Sequence, residues 1–139
     1  MTARQVIDHQ LALNEAQFRK LLEGLDDAAL DFRTHPTAMS LREQLEHMCL
    51  TYNAVIAEAR GEEPIWESPS GAGKSFSELL FEKFERRDNA LALFSGKEDE
   101  GTLQTLNGWI VLHDNYHIGQ ISLLRHAFDP MWDSMVLYG

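Results

Sequence analysis

The chain has 139 residues, 44% of them apolar and 24% charged, which is the composition of one folded domain with a sizeable core. Its 22 acidic residues outnumber 12 basic ones, a formal charge of −10 that repels phosphate backbones, and no basic stripe reverses the field locally. DNA and RNA are therefore not expected partners. A single cysteine, Cys49, excludes an internal disulfide and any CxxC site. The opening "MTARQVIDHQ" has neither the basic nor the apolar region of a secretory signal. No apolar run approaches the length that spans a bilayer, so a cytoplasmic protein without a membrane partner is expected.

Helical periodicity dominates the chain. A first helix is predicted over Thr2–Glu23, where Ile7, Leu11, Phe18, Leu21 and Leu22 recur at helical spacing. The segment "EGLDDAALDFRTHPTAM" breaks that pattern, and Pro36 forbids an uninterrupted helix there. Ser40, with Glu43 three residues on, reads as a capping box opening a second helix. Leu41, Leu45, Met48, Tyr52, Val55 and Ile56 carry that helix forward until Gly61 and Pro64 mark its end.

"GEEPIWESPSGAGK" is a loop by its glycine, proline and serine content. Its end, "SPSGAGKS", approaches the phosphate-binding pattern G-x-x-x-x-G-K-[ST] but has Ser68 where the first glycine belongs. A helix end and a proline-containing loop precede it, so the strand that frames such an anion nest is missing. The expectation is a plain loop feeding a helix N-cap, without nucleotide binding. Ser75 and Glu78 form the next capping box, and Phe76, Leu80, Phe84, Leu91 and Phe94 follow at helical steps.

A fourth helix is predicted from about Thr102 to Phe128, where Pro130 stops it and leaves the tail "MWDSMVLYG". No segment has the period of a strand. Four amphipathic helices bury their stripes most simply against one another, so the expected fold is all-α, a four-helix bundle forming one domain over residues 1–139.

The stripe of the fourth helix reads Leu103, Leu106, Ile110, His113, His117, Ile121, Leu124, Phe128. It places two imidazoles in the middle of a buried face, one turn apart on the same side. An unpaired buried imidazole costs a few kcal/mol, so one such residue is usually a hydrogen-bonded core histidine. Two together are explained economically by a metal ion. A third ligand is wanted, and His47, mid-way along the second helix, is the best candidate if those two helices are neighbours. His9, His35 and His126 fall at a helix start, in a loop and off the stripe, and Cys49 points well around its helix from His47 as a small packing residue. Three histidines suit a borderline divalent ion, zinc or nickel, and leave a position for water or substrate. Gln120 shares their face and is placed to orient a ligand or substrate. A di-iron bundle would need paired Glu-x-x-His motifs, and the chain has none.

Two passages carry a family likeness. "SLREQLEHM" resembles the second-helix motif of the DinB/YfiT-like superfamily of small metal-binding four-helix proteins. "HDNYHIGQISLLRHA" resembles its H-x-x-x-H-x-G-Q signature in the last long helix, and the order and spacing of the helices match over nearly the whole chain. The resemblance implies that His47, His113 and His117 together bind one divalent metal and that the protein forms a homodimer. It leaves activity open, because the superfamily spans thiol-dependent transferases, an isomerase and hydrolases. Two readings follow. In one, the site is an enzyme centre that activates a low-molecular-weight thiol or water against a small electrophilic substrate. In the other, a non-enzymatic stress or binding protein uses the metal to staple its bundle.

Overall fold

The computed structural model describes residues 1–67 and 73–139. The predicted helices form where local chemistry starts them. α1 (Ala3–Leu22) begins at Thr2, whose side chain accepts from the Gln5 amide while the Gln5 side chain caps Thr2 in return. α2 (Leu41–Ala59) and α3 (Phe76–Ala92) open on the reciprocal Ser40–Glu43 and Ser75–Glu78 boxes. Gly61, at φ 72°, supplies the left-handed turn that leads the chain off α2.

The last long helix departs from the sequence reading in two places. It begins earlier, because Asp99 caps the amide of Thr102 and α4 (Glu100–Thr105) runs ahead of the first stripe residue. It then passes through a π-helical stretch, Leu106–Val111, before continuing as α5 (Leu112–Phe128) without leaving helical backbone angles. Asn14 of α1, 1% exposed, donates to the Val111 carbonyl where the π stretch meets α5.

These elements make an all-α bundle of four long helices, the fourth being α4, the π stretch and α5 in series, with no strand among the described residues. α2 packs chiefly on α3 and α1 on α5, and α2 also touches α5. Phe18, Leu21, Leu41, Leu45, Met48, Tyr52, Leu106, Ile110 and Ile121 meet at the centre with no exposed surface. A short 3₁₀ turn, Asp27–Ala29, binds the α1–α2 connection to the bundle, since Asp27 accepts from the first amide of α3 at 2.7 Å. The tail after Pro130 is not loose: it forms a 3₁₀ turn, Ser134–Tyr138, that packs on α1 and buries Leu137. Arg125 fastens the end of α1 by donating to the carbonyls of Leu21 and Glu23, two groups a helix terminus leaves without helical partners. No helix among the described residues is long and apolar enough to cross a membrane.

Candidate metal centre

The contact between α2 and α5 brings His47 to the His113–His117 pair. One nitrogen from each of the three side chains lies within 4.8 Å of the other two. The Nε2 atoms of His113 and His117 stand 3.1 Å apart, and the His47 ring centroid is 5.3 Å from each of theirs. Two nitrogens on a tetrahedral zinc with bonds of about 2.0–2.1 Å are separated by roughly 3.3 Å, so the closest pair already has the spacing of a shared ion. The donor set fits a borderline divalent cation, and three protein nitrogens leave part of a coordination shell open.

The protonation states fit as well. Burial holds the His117 imidazole down to about 3, with His113 and His47 beside it adding to the effect. His113 is held to about 4 by burial and by His47, against an opposing pull from Asp114. Burial also lowers His47. All three rings are therefore neutral near pH 7, the form that binds metal.

The surroundings of the three rings differ. His117 is 1% exposed, and its Nδ1 lies 2.8 Å from Oε1 of Gln44 on α2. Thr51, one turn beyond His47, donates its hydroxyl to the His47 carbonyl at 3.2 Å and stands 3.3 Å from Nε2 of His113. The buried Nδ1 of His113 has no partner among the described residues.

The expectation that both histidines occupy the middle of the buried stripe holds for His117 and needs correction for His113. His113 is only half-buried, and the fully buried neighbour is Asp114. The i→i+5 turn of the π stretch holds more residues than an α turn, so the stripe leaves it advanced, through Asp114, His117, Ile118 and Ile121. His113 is left on the flank, from which its Nε2 still reaches His117.

Among the described residues Gln120 makes no hydrogen bond to a histidine; its amide donates to the Tyr116 hydroxyl at 2.7 Å, and the Tyr116 ring stands edge-on to His117. Gln44 was not singled out by the sequence reading, although it is a polar residue three positions after Leu41 and one before Leu45 on the apolar stripe of α2. Cys49 turns toward charged residues of α3, and burial pushes its thiol up to about 11, as suits a packing residue. His9 and His35 are exposed, and His126 packs on Trp132. Residues 68–72 of the "SPSGAGKS" stretch lie outside the described residues; of the remainder, Lys74 pairs with Glu82 at 2.9 Å and Ser75 caps α3.

Residues 10–121 match the family model of the DinB superfamily, most of the chain, and the protein belongs to that superfamily. Neither the curated proteins nor the solved structures yield a match to this chain.

Proposed function

We propose that this DinB-superfamily protein is a metal-dependent enzyme, a thiol-dependent transferase or a hydrolase, built on a mononuclear His47–His113–His117 site for zinc or nickel. One observation carries the reading: three imidazoles from two helices converge, neutral at pH 7, and among the described residues the set has three protein ligands rather than four. When bound, a divalent ion supplies Lewis acidity that acidifies a thiol or water, or polarises a carbonyl, near neutral pH. The chain's own part is to hold the rings unprotonated by burial and to present Tyr116, 61% exposed, as an aromatic rim beside His117 for a small electrophile. Cys49 is no internal nucleophile, so the thiol would be a separate small molecule.

A homodimer is part of the same reading. Trp109, Leu112, Tyr116 and Leu123 are all exposed along one face of the fourth helix, with Gly108 and Gly119 among them. That face carries no charged residue, in a chain where charge is otherwise dense. Each mid-helix glycine costs roughly 1 kcal/mol relative to alanine, yet a Cβ on either would meet nothing within 4 Å. A second copy packed closely on the uncharged face gives both glycines a purpose, and it avoids apposing two acidic surfaces.

The alternative reading is a metal that only staples the bundle. A crevice of about 580 Å³ lined by Arg19, Phe81, Phe84 and Asp88 holds none of the three histidines and so is not their approach. Metal analysis of the purified protein and of His47→Ala, His113→Ala, His117→Ala and His126→Ala tests the site. One ion per chain in the wild type and in His126→Ala, lost in the other three, is expected; full occupancy in any of those three removes that residue from the site. Turnover of electrophiles by the metal-loaded protein, with and without added small thiols, then separates transferase from hydrolase. No turnover of either kind leaves the stapling role.

A further inference from the structure

α2 reaches this site with two side chains, one helical turn apart. His47 brings a nitrogen to the cluster, and Gln44, 4% exposed, sets its Oε1 2.8 Å from Nδ1 of His117 on α5. An amide oxygen only accepts, so the contact requires the proton of the neutral imidazole to sit on Nδ1. The Nε2 lone pair is then left facing Nε2 of His113, 3.1 Å away. The opposite tautomer would press a lone pair against a lone pair, with both groups buried.

Among the described residues, the other hydrogen-bonding contacts of the cluster leave this choice open. Thr51 meets His113 through a hydroxyl, which donates or accepts equally well. Gln120, one turn beyond His117, is engaged with Tyr116. We propose that Gln44 is the positioning residue of the site: it fixes the Nδ1–H tautomer and the ring orientation of His117, and so aims the Nε2 lone pair at a divalent cation. This rests on the metal reading above for the cation, while the tautomer itself is a property of the metal-free protein.

The test uses the full chain, with Gln44→Met to keep volume and remove the acceptor, and Gln44→Glu to keep an acceptor. Long-range ¹H–¹⁵N correlation spectra of the metal-free proteins read the His117 tautomer, and chelator competition reads zinc affinity. Nδ1–H is expected in the wild type and in Gln44→Glu. Loss of that single tautomer in Gln44→Met should accompany zinc binding weaker by about 10–100-fold, with Gln44→Glu at wild-type affinity or tighter. An Nε2–H tautomer in the wild type overturns the proposal without any variant. So does a Gln44→Met protein that loses thermal stability while keeping its tautomer and zinc affinity, because the contact then serves packing alone. Wild-type protein that binds no zinc overturns the metal reading and the cation half of this proposal together. Intact zinc binding with an unchanged tautomer overturns Gln44 alone.

Discussion

Arg87 of α3 donates from Nε to Oδ2 of Asp114 on α5 at 2.9 Å, and neither side chain is more than 1% exposed. The pair does not stand alone. Asp114 also accepts from the Tyr52 hydroxyl of α2, and Arg87 donates to the Leu11 carbonyl of α1 at 2.9 Å. The Arg87–Asp114 pair thus ties together all four helices, its carboxylate next in sequence to a candidate ligand. Glu15, about a third exposed, stands 3.6 Å from Arg87 and compensates it only in part, so removing either member of the buried pair costs about 3–5 kcal/mol. Asp114→Leu and Arg87→Met are each expected to lose that much in urea unfolding. The double variant Asp114→Leu/Arg87→Met should lose less than the sum of the two single losses, since it leaves no orphan charge.

Lys83 is the opposite case. Its Nζ is buried without a hydrogen-bond partner, over the rings of Phe18 and Phe84 at 3.4 and 4.2 Å. Burial drives the amine down to about 7 from 10.5, so the unfolded chain binds the proton more tightly than the folded one. Any stability this group lends is present above the unfolded value and is lost as pH falls from about 10.5 toward 7. Lys83→Met, close in volume and uncharged, should therefore stabilise the fold by about 1–3 kcal/mol at pH 7. The gain should shrink as pH rises toward 10. Urea midpoints for the two proteins at pH 7 and pH 9.5 check both the sign and the trend; a gain that grows with pH contradicts the assignment.

The histidines give the chain an acid-side dependence of the same sign. With His113 held to about 4 and His117 to about 3, the folded state keeps them neutral over a range where the unfolded chain protonates them near 6.5. Their contribution is complete above about 6.5 and is lost as pH falls through 4 and 3. In the presence of a chelator, the stability margin of wild type over His117→Ala should narrow by about 2 kcal/mol between pH 7 and pH 4.5. Denaturant titrations at the two values measure it. An unchanged margin means that the ring takes up a proton as readily in the folded protein as in the unfolded chain.

What the sequence disclosed, and what it withheld, follows from the range of each signal. The starts of α2 and α3 are legible because a capping box is written in four consecutive residues, whereas α1 is legible from its apolar spacing and its Thr2–Gln5 box emerges only in the structure. The pairing of His113 with His117 was legible for the same reason, as an i, i+4 spacing on one helix. The π stretch has no comparable local marker. Counting at 3.6 residues per turn across Leu106–Val111 therefore put His113 where Asp114 lies. Arg87 and Gln44 acquire their roles only from partners on other helices, 27 and 73 residues away in the chain, and no periodicity in one helix encodes that. The adjacency of His47 to the pair was inferred from the bundle and from the family likeness, and the α2–α5 contact supplies it physically.

The uncharged face of the fourth helix yields a prediction in which monomer and dimer give opposite signs. Gly119 has ordinary helical backbone and open space where a Cβ would stand. In an isolated chain Gly119→Ala should only stabilise, by roughly 1 kcal/mol, through the entropy of the unfolded state. In a close-packed pair of helices the added methyl should instead push the copies apart. Sedimentation equilibrium is expected to give twice the 15.8 kDa chain mass for the wild type and a weaker dimer for Gly119→Ala. Leu112→Glu, which places a charge on a side chain already 57% exposed, should dissociate the dimer while changing the stability of the single chain by no more than about 0.5 kcal/mol. A wild-type protein that sediments at one chain mass, with Gly119→Ala merely more stable, leaves this face without a second copy and the two glycines without a purpose in the folded chain.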